Sequence, residues 1–265
     1  MTDSKKSIVR NNSALIAFRT IARKEVTRFS RIWMQTIIPP AITMGLYFVL
    51  FSTLLGSRIG QMAGFDYIQY IAPGIIMMAI ITNSYSNVVS SFFGAKFQKH
   101  IEEILVSPAP NFVILLGYVS GGICRGVIVG FLVTLVALFF TDLSIYSYSV
   151  TLVVVILTSA LFSICGLINA IFAQKFDDIS IVPTFVLTPL TYLGGVFYSI
   201  DLLPEVWRQI SLFNPVLYMV NAFRYGILGH SDIQVNYALT MICVFTVLLA
   251  FISHELLKRG IGLKT

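Results

Sequence analysis

An all-α integral membrane protein with six transmembrane helices is the fold class predicted for this chain, and three observations predict it. Hydrophobic residues make up 57% and charged residues 11% of the 265 residues, with a mean hydropathy of +0.85, which leaves too little charge to cover a soluble domain. The apolar runs are continuous, as at residues 71–81 and 131–140, without the alternation of barrel strands. Lipid offers no partner to stray backbone groups, so continuous runs of this length are spanning helices.

The runs long enough to span are residues 32–55, 67–89, 112–140, 150–172, 179–198 and 235–252. Eight basic residues precede the first: Lys5, Lys6, Arg10, Arg19, Arg23, Lys24, Arg28 and Arg31. Lys96, Lys99, Lys175, Lys258, Arg259 and Lys264 fall on the same side, so that side holds 14 of the 18 basic residues. Arg58, Arg208 and Arg224 fall on the other, and Arg125 lies within a span. The positive-inside rule then puts both termini in the cytoplasm. This placement makes the net charge of +6 an orientation signal rather than a nucleic-acid patch. No cleavable signal is expected, because the first apolar run follows a long polar stretch and exceeds a signal core. The chain reads as a single transmembrane domain, 1–265: a cytoplasmic N-terminus over 1–31, a six-span bundle over 32–252, and a cytoplasmic tail over 253–265.

Before the first span, Leu15, Phe18, Ala22, Val26, Phe29 and Trp33 recur at steps of three or four, an apolar helical stripe. Lys24, Arg28 and Arg31 are expected opposite it, with Asn12 or Ser13 as N-cap. Such a helix over 14–31 lies in the cytoplasmic interface; topogenic charge without an ordered helix is the alternative. The second loop repeats the device. Phe93, Phe97, Ile101, Ile104 and Leu105 form a stripe, Lys96, Lys99, Glu102 and Glu103 fill the rest, and Ser107-Pro108 stops the helix. A cytoplasmic amphipathic helix there reads either as a docking surface or as a solvated connector.

The third run places Gly122, Gly126 and Gly130 four apart, with Gly117 and Gly121 as a second pair, a spacing that admits close helix approach. Arg125 sits within this run and must face protein or water. It is either a structural ion pair or carbonyl clamp, or a residue of a translocation path. The fifth loop, 199–234, is external yet apolar, and is broken by Pro204 and Asn214-Pro215. A helix pair dipping into the outer leaflet, re-entrant between spans five and six, satisfies both facts.

No residue pattern supports catalysis, a cofactor or a metal. His100, His230 and His254 are isolated, and Cys124, Cys165 and Cys243 lie in separate apolar runs as packing residues. No G-x-S-x-G elbow occurs, and Lys6-Ser7 and Lys264-Thr265 lack the glycines of a phosphate loop. ATP-driven work by this chain requires a partner.

Two stretches carry a resemblance. The segment Ile101-Glu102-Glu103-Ile104-Leu105-Val106-Ser107-Pro108 is similar to an E-x-L-L-V-S-P ending. The block from Pro183 to Gly229 contains Asn214, Pro215 and Tyr218 in an N-P-x-x-Y arrangement, followed by Phe223 and Arg224. In these the chain resembles the ABC type-2 permeases, membrane subunits of bacterial ABC exporters. The preceding Lys96-Phe97-Gln98-Lys99-His100 departs from the R-E-x-G-T common there. The resemblance implies a homodimer of six-span subunits in the bacterial inner membrane, with a cytoplasmic ABC ATPase subunit docked on each. It makes residues 96–106 the coupling helix, 174–178 a lesser contact, and 199–230 the external re-entrant helices. The chain would form the translocation path, and hydrolysis would occur in the partner. A stand-alone secondary transporter or channel is the other reading; it would show inverted repeats and midspan acids. Tyr192, Phe197 and Tyr198 fit a cargo path and interfacial anchoring alike, and the cargo stays open.

Overall fold

A computed structural model describes the backbone of residues 2–262 other than Pro108, and the side chains of 13–262 other than Ser57 and Pro108. The expectations for the side chains of Lys5, Lys6 and Arg10, for Lys264 and for the Pro108 helix stop lie outside what is described. The chain forms α1 (Thr2–Arg31), α2 (Trp33–Thr36), α3 (Ile38–Leu50), a π-helical turn Phe51–Gly56 and α4 (Ser57–Ile59). A small hairpin of β1 (Gln61–Met62) and β2 (Phe65–Asp66) leads into α5 (Tyr67–Phe97) and α6 (His100–Val106). Next come α7 (Asn111–Ala137), α8 (Tyr148–Phe172), α9 (Asp178–Val182), a π turn Pro183–Leu187 and α10 (Thr188–Tyr192). A 3-10 turn Ile200–Leu202, α11 (Glu205–Leu212), α12 (Pro215–Leu228) and α13 (Val235–Arg259) complete it.

Among the described residues, five helices are long and apolar enough to cross a membrane: Trp33–Gly56, Tyr67–Phe97, Asn111–Ala137, Tyr148–Phe172 and Val235–Arg259. Each overlaps an expected run. The remaining run, 179–198, is different. Its helical part is the continuous stretch α9, π turn and α10, from Asp178 to Tyr192. At about 1.5 Å per residue that is roughly 22 Å, short of the roughly 30 Å hydrocarbon core. Pro183 and Pro189 sit at the starts of its second and third pieces, where a missing N–H is tolerated, and Gly195 turns the chain with φ +69°.

The core is built around α5, 78% of whose most apolar stretch is buried, against 11% for the first and the last of the five spans. α7, α8, α12 and α3 pack on it. The glycines of α7 explain how closely. Gly122 lies against Val88 of α5 and Ser163 of α8, and Gly126 against Ser84 and Ser159; a methyl group would not fit at either place.

The other pair, Gly117 and Gly121, receives Ile21 and Glu25 of α1. α1 therefore packs along α7. It starts at Thr2, so Asn12 and Ser13 lie inside it and do not cap it. Of the expected stripe, Phe29 is buried and Phe18, Ala22 and Val26 are half-buried, whereas Leu15 and Trp33 are exposed. Ile21 and Glu25 take the inward places.

Candidate functional site

One face of the bundle, expected from the basic-residue distribution to be cytoplasmic, is assembled from the ends of α5 and α8 and the loops that follow them. α5 continues past its apolar stretch to Phe97, and Lys99 then adopts a left-handed φ of 61° before α6 begins. The expected single amphipathic helix is thus two pieces, a correction with a local cause: the αL residue turns α6 away from the axis of α5. The stripe is divided accordingly. Phe93 and Ile101 are buried, Ile104 and Leu105 are half-buried, and Phe97 is 58% exposed.

Phe97 is not alone. Its ring is 4.8 Å, edge-on, from Phe176 of the fourth loop, and Phe93 is 5.1 Å from the same ring. Phe176 is held out by a tight turn in which Asp178 Oδ2 accepts from the backbone N–H groups of Gln174 (2.8 Å) and Lys175 (3.0 Å). Those two bonds hold the Asp178 carboxyl below the usual carboxylate range. Lys96 is committed elsewhere than to a rim: Nζ donates to the carbonyls of Ile171 (2.6 Å) and Ala173 (2.7 Å), capping the end of α8. Lys99, Glu102 and Glu103 stay exposed beside the aromatic pair. The result is an exposed two-ring knob carried by the end of α5 and the loop after α8, with exposed charges of both signs next to Phe97 in sequence.

A buried polar seam runs inward from this face. Asn83, Asn87 and Ser91 recur every fourth residue along one side of α5. Ser91 Oγ donates to Glu25 Oε1 at 2.6 Å. Arg28 reaches the Asn87 carbonyl (2.8 Å) and Oδ1 (2.9 Å), and lies 3.4 Å from Glu25. Arg125 donates to Asn83 Oδ1 (3.0 Å) and to the Thr36 carbonyl (3.1 Å), and is 9% exposed. Arg125 thus clamps a carbonyl at the break between α2 and α3. Glu25 escaped the sequence reading, although its position, four before Phe29 and three after Ala22, falls on the apolar stripe.

The third locus lies toward the opposite end of the bundle. Asn214 caps α12 by accepting from Val216 N–H (2.9 Å), while its Nδ2 donates to the Leu190 carbonyl of α10 (2.6 Å). Pro215 occupies the first helical turn, Tyr218 donates to the Leu212 carbonyl, and Phe223 is buried. Arg224 is fully buried; it donates to the carbonyls of Gly195 (2.7 Å) and Tyr70 (3.3 Å), and faces Asp232 at 3.9 Å. Asp232, also missed, collects Tyr70 OH (3.1 Å), Ser199 Oγ (3.0 Å), Ile200 N–H (3.1 Å) and His230 Nε2 (3.4 Å). Nothing close to Asp232 in sequence signals a partner on α5. Gly130, the last of the predicted glycine row, meets Ile80. Among the described residues no cluster of His, Cys, Asp and Glu could hold a metal ion.

The sequence profile of a family described as ABC-2 type transporter matches residues 16–228. The chain is 54% identical over 250 residues to an inner membrane transport permease of Escherichia coli (strain K12), YadH, covering 94% of this chain and 98% of that one. It is 25% identical over 206 residues to nodulation protein J of Rhizobium leguminosarum bv. trifolii, covering 77% of this chain and 79% of that protein. The corresponding protein of Rhizobium meliloti (strain 1021) is 23% identical over the same length.

Proposed function

The chain belongs to the ABC-2 type transporter family and is a multi-pass membrane permease; from that premise we propose that it forms the translocation path of an ATP-driven exporter whose ATPase is a separate cytoplasmic subunit. The observation that carries this reading is the Phe97–Phe176 knob, a large apolar surface exposed where a membrane protein meets the cytoplasm. Such surfaces mark partner contacts, and aromatic anchors dominate binding energy there. Binding at the knob is not local in effect. Lys96 joins the end of α8 to α5, so a push on either loop is delivered to the helix at the centre of the core. Closure of the ATPases on ATP then biases the bundle between two packings.

In this proposal both termini are cytoplasmic, as the basic-residue distribution favours. The short stretch from Asp178 to Tyr192 serves as the fifth span, entering from the cytoplasm, and α11 and α12 are re-entrant helices of the outer leaflet. Asn214 and Arg224 fasten that return to the fifth span and to α5. Two copies associate through the uncovered faces of α3 and the fifth span, where Ile42, Leu46, Phe185 and Val186 are exposed. Gly122, Gly126 and Gly130 are packing residues, and Arg125 a structural clamp. Hydrolysis takes place in the partner.

The test is co-expression with candidate phosphate-loop ATPases from the same organism. A stable complex whose hydrolysis the permease alters is the expected result. Transport by the purified permease alone in vesicles, unaffected by ATPase, would favour the stand-alone transporter.

A further inference from the structure

α1 carries a concentration of positive charge that the protein itself does not neutralise. Glu25 is its one acid among the residues with described side chains, and both its oxygens are engaged, one by Ser91 and one by Arg28. Among the described residues, Arg19, Arg23, Lys24 and Arg31 form no ion pair. Lys24 instead lies 5.9 Å from the centroid of the Tyr118 ring. The charges gather along one side of the helix. Arg23, Lys24, Thr27, Arg28 and Arg31 line a shallow open cleft along α1 that runs to Ile32. A second cleft, of about 280 Å³, lies between α1 and the cytoplasmic end of α5 and shares Lys24 and Arg28 with the first.

The walls of the second cleft are suited to an anion. Ser90, Gln98 and His100 line it beside the two cations. Gly94 leaves its floor open, since a Cβ there would meet nothing within 4 Å. The Arg28 guanidinium is oriented by Asn87, and its Nε lacks a partner in the protein. Cations with donors around an open floor match a tetrahedral phosphate oxyanion. The adjoining apolar surface matches an acyl chain: Leu15 and Ile16 are exposed on α1, and Trp33 and Met34 just beyond it.

We propose that the joined clefts of α1 and α5 bind the phosphate of an anionic lipid headgroup in the cytoplasmic leaflet, and that this lipid wedges α1 against the bundle. The site shares neither Phe97 nor Phe176 with the ATPase knob, although Gln98 and His100 lie next to it in sequence, and it rests only on the cytoplasmic orientation of α1. That orientation has its own labelling test, so the two can fail independently.

The experiment is native mass spectrometry of the detergent-purified protein titrated with phosphatidylglycerol or with phosphatidylcholine. Wild-type protein should retain phosphatidylglycerol in preference to phosphatidylcholine. Each basic residue removed should weaken retention about fivefold, so Lys24→Gln with Arg31→Gln should weaken it roughly 25-fold. The control is Lys258→Gln with Arg259→Gln, the same charge change at the end of α13, which should leave retention unaltered. Equal retention of the two lipids by wild type, or equal losses in both double variants, would overturn the site. Inorganic phosphate displacing phosphatidylglycerol at equal concentration would overturn the lipid assignment. If the Lys24/Arg31 variant fails to fold, single Lys24→Gln and Arg23→Gln variants carry the same test at about fivefold each.

Discussion

The guanidinium carbon of Arg224 lies 4.1 Å from the centroid of the Tyr70 ring, while the hydroxyl of that ring donates to Asp232. Tyr70 is thus sandwiched between a cation on its face and a carboxylate at its edge. One aromatic residue near the start of the most buried helix holds α12 and the turn before α13.

This arrangement predicts a double-mutant signature. Arg224→Leu leaves the nearly buried Asp232 without its cation and should cost about 3–5 kcal/mol, read as a fall in folded yield and in the thermal midpoint in detergent. Adding Asp232→Asn should restore part of that loss. If the double variant is less stable than Arg224→Leu alone, the two residues are not coupled as described.

Glycine substitution offers a second comparison. A methyl at Gly126 would collide with Ser84 and Ser159, whereas one at Gly45 would meet only Val136, at an ordinary 3.5 Å. Gly126→Leu should therefore destabilise by about 1–3 kcal/mol or more through overpacking, and Gly45→Leu by much less. Size-exclusion yield and thermal midpoint separate the two.

For the knob, Phe97→Ala and Phe176→Ala should each weaken ATPase co-purification about tenfold, the loss of a buried aromatic anchor. Lys99→Ala should change it little. Lys96→Ala belongs with the stability variants, because its ammonium caps α8. Full partner binding by Phe97→Ala would reduce the loop to a connector.

Topology is checked by single cysteines at Lys175 and Gln234, both exposed. They should label from opposite faces of the membrane with an impermeant reagent. Asp232 is a poor labelling position, since its side chain is 2% exposed and hydrogen-bonded. Labelling of both positions from one face would remove the six-span arrangement.

Hydropathy located the long helices because their lipid-facing or core-facing apolar length is a local property. It could not see that the stretch from Asp178 to Tyr192 stops short, because Leu193, Val196 and Phe197 continue the apolar run after the helix has ended at Tyr192. Periodicity found the pairing of Phe93 with Ile101 on a buried side but not the αL break at Lys99, where neither glycine nor proline marks the turn. Asp232 was invisible for a different reason. Its partners Tyr70 and Ser199 are 162 and 33 residues away in the chain, and only tertiary structure brings them together.

The two glycine rows of α7 set a mechanical condition on any rearrangement. Gly121, under Glu25, and Gly122, under Ser163, are adjacent in sequence, and so lie about 100° apart around the helix axis. Turning α7 to tighten one contact would drive side chains into the other neighbour, so its azimuth is locked from two sides. A slide along the axis is opposed as well, because Ile21 and Glu25 are seated at Gly117 and Gly121 and would ride up onto the larger residues between them. Any rearrangement of the bundle should therefore carry α7 together with α1 and α5 as one block.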